Sequence, residues 1–246
     1  MLVLLAASTL APVAPADPPR AILEQAVEAM GGTRWLTPKG LKLEGSATFF
    51  APDRAEPRSV ADRYVMWRGI NPGRTSAHGA DGTVRISASA AGKSLFEVGF
   101  DGTSTWTEKG IMPRAAADAY WASNMGFGIV RQALGPGFKI ERAPDRSVDG
   151  HPLAMLRIVD GQGAATLFGI DRGSRLIRYM GFRTPRGFHE RTYDDFLRSP
   201  GWVQARRVTL TYDGVKQNEV RWAKVTVDPP LDPALFAPPA GLEEMK

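Results

Sequence analysis

A short stretch with apolar residues at helical spacing comes first along the chain and predicts one amphipathic helix. Asp17 is a suitable N-cap, and the two prolines that follow it suit the first turn. Gly31-Gly32 provide a left-handed stop. Because an isolated helix of this length is marginal in water, it should pack against another element. Its apolar stripe consists of Ile22, Leu23, Ala26, Val27 and Met30.

From Leu41 onward, runs of alternating polar and apolar residues are separated by turn residues, which predicts β-strands. The alternation is clearest where Val208, Leu210 and Tyr212 are spaced by polar residues. About eleven strands at hairpin spacing favour a mainly β chain with some helix (α+β), built as an antiparallel barrel or strongly curved sheet. The predicted strands span residues 41–50, 60–68, 84–89, 94–100, 104–108, 153–159, 165–170, 176–182, 188–193, 204–212 and 219–227.

A second helical pattern, over residues 115–134, interrupts the strands. Its first half is rich in alanine, and its second half has apolar residues at helical spacing. Gly126 and Gly128 lie in its middle, and each costs up to about 1 kcal/mol relative to alanine inside a helix. The pattern therefore predicts two short helices or one broken helix, with a mobile joint over residues 124–128.

The end of the chain, residues 225–239, is typical of a strand that continues into a proline-stiffened extended segment. Leu231, Leu235 and Phe236 are its apolar anchors. Proline ends ladder pairing, so this tail should close an edge or an opening of the sheet.

The chain starts with about ten apolar residues, too few to span a bilayer, which needs about twenty. Ala14 and Ala16 form the small-x-small pattern of a signal peptidase site. The pattern predicts a signal peptide over residues 1–16 and one exported, soluble domain over residues 17–246. An apolar arm that packs on the domain is the alternative.

Composition narrows the classes of function. The chain has 246 residues, 43% of them hydrophobic and 23% charged, and no cysteine. The absence of cysteine excludes disulfides, a thiolate nucleophile, zinc fingers and cysteine-ligated iron–sulfur clusters. A net charge of +5 permits an anionic partner but does not require nucleic acid, and a nucleic-acid partner is not predicted.

Known catalytic patterns are missing from the sequence. The three histidines are far apart, and no pair has the spacing of zinc ligands on a helix. No Gly-x-Ser-x-Gly, Walker-type or Gly-x-Gly-x-x-Gly motif opens a helix after a strand. Asp194-Asp195 should point to opposite faces of a strand, which is poor geometry for acid–base work. No catalytic residue, metal or cofactor is predicted, and a hydrolase with a scattered site remains a minor alternative.

Arginines are frequent between residues 172 and 207, where acidic residues are few. For most of them the favoured interpretation is a solvated outer face with charges that protect sheet edges. The alternative is a patch for phosphate head groups or for a partner protein. These arginines are Arg172, Arg175, Arg178, Arg183, Arg186, Arg191, Arg198, Arg206 and Arg207.

Several strands are apolar on both faces, whereas a one-sided antiparallel sheet needs only one apolar face. Either helices cover the outer face, or the inner face lines an apolar hollow that the glycine-broken helix closes as a lid. An ordinary filled core is the alternative. The candidate lipid-binding residues are Tyr64, Met66, Phe96, Phe100, Trp106, Trp121, Met125, Phe127, Tyr179 and Phe182.

Six short motifs, in this order, give the chain a family resemblance that covers almost all of residues 17–246. The chain resembles the LolA/LolB-like outer-membrane lipoprotein-sorting superfamily. The motifs are Met30-Gly31-Gly32, Leu41-x-Leu43-x-Gly45, Phe100-Asp101-Gly102-x-x-x-Trp106, Asp149-Gly150-His151-Pro152, Ile170-Asp171-x-x-Ser174-x-Leu176, and the closing Val227-Asp228-Pro229-Pro230-Leu231-Asp232-Pro233-x-Leu235-Phe236.

The resemblance implies an unclosed antiparallel barrel covered by helices, with an apolar cavity that shelters the acyl chains of a lipid or lipoprotein. It implies a periplasmic setting, no cofactor and no catalysis, so we expect a monomeric carrier that touches membranes transiently. Relatives of this fold also act as envelope-stress regulators. A regulator that binds an envelope protein is therefore the alternative function.

Overall fold

Fourteen antiparallel strands form one sheet within residues 17–52 and 56–245, which the computed structural model describes. The predicted signal peptide, residues 1–16, lies outside the described residues. The strands are β1 (Gly40–Phe50), β2 (Pro57–Gly69), β3 (Thr83–Ala90), β4 (Lys93–Phe100), β5 (Thr105–Thr107), β6 (Gly110–Ile111), β7 (Lys139–Arg142), β8 (Arg146–Val148), β9 (His151–Val159), β10 (Ala165–Asp171), β11 (Ile177–Thr184), β12 (Gly187–Ser199), β13 (Trp202–Tyr212) and β14 (Val215–Val227).

The strand order is β6-β5-β4-β3-β2-β1-β14-β13-β12-β11-β10-β9-β7, and β8 also pairs with β9. The first and last long strands pair in the middle of the sheet, with Leu41 opposite Val227. The outermost strands, β6 and β7, do not pair with each other, so the curved sheet is unclosed. All eleven predicted strands are present. The predicted count is wrong by three, because β6, β7 and β8 have only two to four residues and are too short to show a period.

The first helix, α1 (Pro19–Met30), packs on the concave face of the sheet, against β7, β9, β10 and β13. Its predicted apolar stripe is buried. The predicted N-cap is wrong: Pro18 occupies that position and no side chain caps the helix. Gly31 and Gly32 end it as predicted, both with positive φ, and a single turn, α2 (Thr33–Leu36), follows.

The second helical region is broken where the glycines predict. Helix α3 (Arg114–Asn124) ends before Gly126, and a 3₁₀ helix spans Phe127–Arg131. We refer to residues 114–131 as the lid segment. A Cβ on Gly126 would lie 2.5 Å from Cε1 of Phe182, so only glycine allows the joint to approach the sheet this closely. Among the described residues, no helix has both the length and the apolarity to cross a bilayer.

The strands with two apolar faces have a different cover on each side. In β9, Leu156 and Ile158 join the core that α1 shares with the concave face. Met155, which points the other way, packs with Tyr179 and with Val148 of β8. On this part of the convex face the cover therefore comes from β8 and from Ala143 in the connection before it, not from helices.

The chain end packs along the other margin of the sheet, as predicted. The carbonyl oxygen of Phe236 accepts a 2.7 Å hydrogen bond from Nε1 of Trp106. Glu244 forms a parallel bridge with Ile111 of the edge strand β6. The tail thus satisfies backbone groups of an edge strand that would otherwise be open to another chain.

Candidate functional site

A cavity of about 290 Å³ lies between the concave face of the sheet and the lid segment. Its walls come mostly from apolar side chains of the strands, with Met30 of α1 and Trp35 of α2 on one side. The volume of about 290 Å³ lies just below the range of about 300–1,000 Å³ that is usual for ligand sites. With the lid closed, it therefore fits one small or single-chain ligand.

One wall of the cavity is a cluster of four aromatic side chains, Phe49, Tyr64, Phe96 and Trp222. Their ring centroids are 5.4–6.4 Å apart in consecutive edge-on or tilted pairs. Phe49, Tyr64 and Phe96 are only partly buried although they face inward. These rings therefore border space that the protein's own side chains do not fill.

Six residues of the lid segment line the cavity, and three of them have large apolar side chains. Trp121 is 2% exposed and donates from Nε1 to Oγ1 of Thr105 at 2.7 Å. The ring of Phe127 lies 6.3 Å from that of Trp35 and 5.2 Å from that of Tyr193. Met125, between them, also lines the cavity. Besides these apolar contacts, five hydrogen bonds from side chains to oxygen atoms join the lid segment to the rest of the described structure.

Six of the ten predicted lipid-binding residues meet at this cavity. Two are in β2, one is in β4 and three are in the lid segment. They are Tyr64, Met66, Phe96, Trp121, Met125 and Phe127.

The other four predicted residues lie outside the cavity lining. Phe100 packs behind Trp121, with ring centroids 6.0 Å apart. Trp106 points to the convex face, because its neighbour Thr105 faces the lid and successive strand residues point to opposite sides. Tyr179 also belongs to the convex side, and Phe182 lies beneath the lid joint. Alternation alone could not assign these faces, because the register and the bulges were unknown.

Three arginines also line the cavity, and they were not among the predicted site residues. Arg191 donates from Nη2 to the carbonyl oxygen of Asn124 at 3.2 Å, and Nη1 of Arg68 lies 3.7 Å from Sδ of Met125. Arg131 belongs to the lid, where its guanidinium lies 4.4 Å from the ring centroid of Trp35. Burial lowers the pKa of Arg131 to about 9 and that of Arg68 to about 10.

For most of the arginine-rich stretch, the predicted outer face is confirmed. Four of the nine arginines form ion pairs with Asp145, Asp194 and Asp195, and Arg183, Arg186 and Arg198 are exposed. Arg191 is the exception. It lies two residues from both His189 and Tyr193, which are buried, so its strand position points inward. That spacing is the sequence signal that could have identified it.

The adjacent pair Asp194-Asp195 departs from its prediction. Tyr193 and Phe196 both line the cavity, so the two residues between them both point outward. A positive φ of 51° at Asp195 marks this irregularity. Each carboxylate is held by arginine, and neither reaches the cavity. Among residues 17–52 and 56–245, no group of three or more His, Asp or Glu side chains could hold a metal ion.

Two histidines sandwich the ring that supports the lid joint. Phe182 stacks on His78 at 4.1 Å and on His189 at 4.6 Å between centroids. Nδ1 of His189 lies 2.9 Å from the carbonyl oxygen of Ser123 in the lid, which can only accept, so this nitrogen carries the proton. Burial is the main cause that lowers the pKa of His189 to about 2 and that of His78 to about 4.

This arrangement predicts that the protein loses stability in mild acid. Each histidine has a folded pKa below its unfolded value of about 6.5, so the unfolded chain binds more protons between these values. The contribution of the two neutral histidines to the free energy of unfolding is fully present above the unfolded pKa and is lost as the pH falls below it. We expect the free energy of unfolding to fall by up to about 1.4 kcal/mol per pH unit for each histidine between about pH 6 and pH 4.

Urea unfolding at several pH values measures this slope. His189→Asn, which keeps an N–H donor but does not titrate, should flatten it. His151→Asn, at the half-exposed start of β9, controls for replacing a histidine as such. Equal slopes in the wild type and in H189N would refute the assignment.

Three solved structures share this architecture over nearly their whole length. A domain assigned to outer membrane lipoprotein sorting, from Vibrio parahaemolyticus, superposes with a TM-score of 0.53 at 8% identity, over 88% of this chain and 95% of that chain. A LolA superfamily protein from Nitrosomonas europaea superposes with a TM-score of 0.55 at 14% identity, over 91% of this chain and 99% of that chain. A DUF1329 family protein from Desulfovibrio piger superposes with a TM-score of 0.52 at 12% identity, over 90% of this chain and 98% of that chain.

The sequence itself matches no protein-family model and no curated protein. The likeness is therefore one of structure, and at these identities it concerns the fold alone. It agrees with the resemblance seen in the order of the sequence motifs. Over about 90% of its length, this chain has the fold of the LolA superfamily.

Proposed function

We propose that this protein is an exported, periplasmic carrier that shelters an acyl chain of a lipid or lipoprotein in its cavity, as a monomer without catalysis or cofactor. The observation that carries this proposal is the apolar hollow of about 290 Å³ beneath the lid segment. The signal-peptide pattern of residues 1–16 and the shared fold support it.

The driving force is removal of methylene groups from water, worth about 0.8 kcal/mol for each buried CH₂. A single chain gains enough to be held reversibly, and a second chain would need more room than the closed cavity has. The carrier would therefore open to accept a larger cargo and close over one chain.

The lid segment is the part that opens. Its joint has two glycines, and its inward contacts are apolar except for five hydrogen bonds, including those from Arg191 to Asn124 and from Trp121 to Thr105. Opening would break these contacts while the protein touches a membrane. They re-form over the bound chain.

Native mass spectrometry after gentle extraction tests the proposal, with Phe127→Asp as the test variant. The wild type should retain a lipid, and the variant should lose it, because a carboxylate at the cavity wall opposes burial of an acyl chain. Phe188→Asp is the matched control, because Phe188 precedes the inward His189 and so points outward.

A wild type that carries no lipid and binds no added acyl chain would overturn the carrier. A stoichiometric envelope protein in the same spectra, without lipid, would instead favour the regulator. Equal lipid retention by F127D and F188D would remove Phe127 from the binding surface.

A further inference from the structure

The cavity combines an apolar lining with an excess of positive charge. Arg68, Arg131 and Arg191 line it, and among the described residues no aspartate or glutamate does. Buried charges in proteins are usually paired, because an isolated charge is costly to remove from water. A cavity that holds three guanidinium groups therefore lacks a compensating anion.

The only carboxylate close to these arginines within the described chain is that of Asp81, and it is shared. Oδ2 of Asp81 lies 3.1 Å from Nη1 of Arg74 and 3.9 Å from Nη2 of Arg68. One negative charge thus faces two guanidinium groups. Within the described residues, neither Arg131 nor Arg191 has a carboxylate within 4.0 Å.

The three arginines also have donors to spare. A guanidinium has five N–H groups. In the described structure, Nε of Arg131 donates to the carbonyl oxygen of Trp35 at 2.9 Å, and Arg191 donates to the carbonyl oxygen of Asn124 and also contacts the hydroxyl group of Tyr193. Nε of Arg68 is buried without a partner. Most of the remaining donors lack a protein acceptor.

All three guanidinium groups converge on one part of the cavity. Arg68 and Arg191 reach the consecutive lid residues Met125 and Asn124 from separate strands, β2 and β12, and Arg131 belongs to the lid itself. The aromatic wall of Phe49, Tyr64, Phe96 and Trp222 contributes no charged side chain. The cavity thus has a cationic part under the lid and an apolar part for a chain.

We infer that the cavity selects a single-chain amphiphile with an anionic head, a carboxylate or a phosphate, whose charge lies against Arg68, Arg131 and Arg191 beneath the lid. This inference rests on the proposed carrier function and specifies its ligand class. Arginine suits both anions because its N–H groups match the geometry of two neighbouring oxygens. The bound head would also tie the lid to the sheet, since it meets groups on both.

Four ligands with the same twelve-carbon chain test the inference in competition with a neutral fluorescent probe at pH 8. They are dodecanoate, dodecyl phosphate, dodecanol and dodecyltrimethylammonium. The wild type should bind at least one anion about tenfold or more tightly than dodecanol, and the cation most weakly. The tighter anion identifies the head group.

The Arg191→Met variant should lose most of the preference for anions over dodecanol, and it should still bind dodecanol. Arg183→Met is the matched control, because Arg183 is exposed on β11 and its loss changes the net charge equally. Arg131→Met gives an independent test from the lid side. A folded R191M is recognised by an unchanged circular dichroism spectrum.

The possible outcomes distinguish failure of the head-group preference from failure of the carrier function. Equal binding of the anions and dodecanol by the wild type overturns the head-group preference and leaves the carrier intact. The same holds if R191M and R131M keep the wild-type preference. Binding of none of the four compounds overturns the carrier and the preference together.

Discussion

Val208→Trp should weaken binding of a dodecyl chain by about 100-fold or more, because the indole would occupy space that three or four methylenes need, at about 0.8 kcal/mol each. Val208 lines the cavity and is only partly buried, so the larger ring has room to enter without displacing the backbone. Titration of the variant with dodecanoate and dodecanol measures the loss for both ligands.

Thr209→Trp is the matched control, because the next residue of a strand points to the other face. It introduces the same indole at the same level of β13, on the side away from the cavity. Its affinity should stay within about threefold of the wild type, a difference of about 0.7 kcal/mol. A V208W protein that binds as well as T209W would show that the acyl chain does not enter this cavity.

The long strands could be predicted from the sequence because each has enough residues to show a period. Ten of the eleven predicted strands correspond to strands of seven to thirteen residues, whereas β5 has only three and follows the hairpin dipeptide Asp101-Gly102. The short strands β6 and β8 form tight hairpins with β5 and β9, and β7 pairs with β9 across the intervening β8. With two to four residues each, they are too short for alternation to identify them. The bridge between Ile111 of β6 and Glu244 joins residues far apart in the chain, and a local pattern holds no information about such a pair.

The direction of each side chain was harder to predict than the strand. Tyr193 and Phe196 both line the cavity although they are three residues apart, because Asp194 and Asp195 together point outward. A period-2 pattern fails at such a place, and sequence alone does not mark it. The same uncertainty about faces applies to other strands: the predicted site includes Trp106 and Tyr179, which lie on the convex face, and omits Phe49 and Trp222, which face the hollow.

The arginines of the cavity illustrate a different limit. Charged residues are almost never fully buried, so an arginine in a strand is assigned to the solvent face by default. That assignment is right where Asp145, Asp194 and Asp195 pair with arginines on the outside. It fails for Arg68 and Arg191 because the concave face is hollow. A cavity can hold a charged group that a packed core would exclude, and the sequence does not reveal whether the interior is filled.

Trp121→Ala should lower the free energy of unfolding by about 3–5 kcal/mol, the usual cost of deleting a large buried aromatic side chain. The loss combines the contacts with Phe100 and Met125 and the hydrogen bond from Nε1 to Thr105. Urea unfolding measures it. Hydrogen exchange over Arg114–Asn124 should rise more than elsewhere, because Trp121 is the side chain that fastens this helix to the sheet.

Trp67→Ala is the control for Trp121→Ala, because it deletes the same side chain at a position away from the lid. Trp67 is only partly buried and lies on the convex face, since its neighbours Met66 and Arg68 both line the cavity. Its removal should cost clearly less and leave the exchange of the lid segment unchanged. If W121A and W67A were equally destabilising and neither loosened residues 114–124, Trp121 would be an ordinary core residue. The lid would then have to be fastened by Phe127 and Arg131, which would place its hinge on the α3 side of Gly126 instead of at the glycine joint.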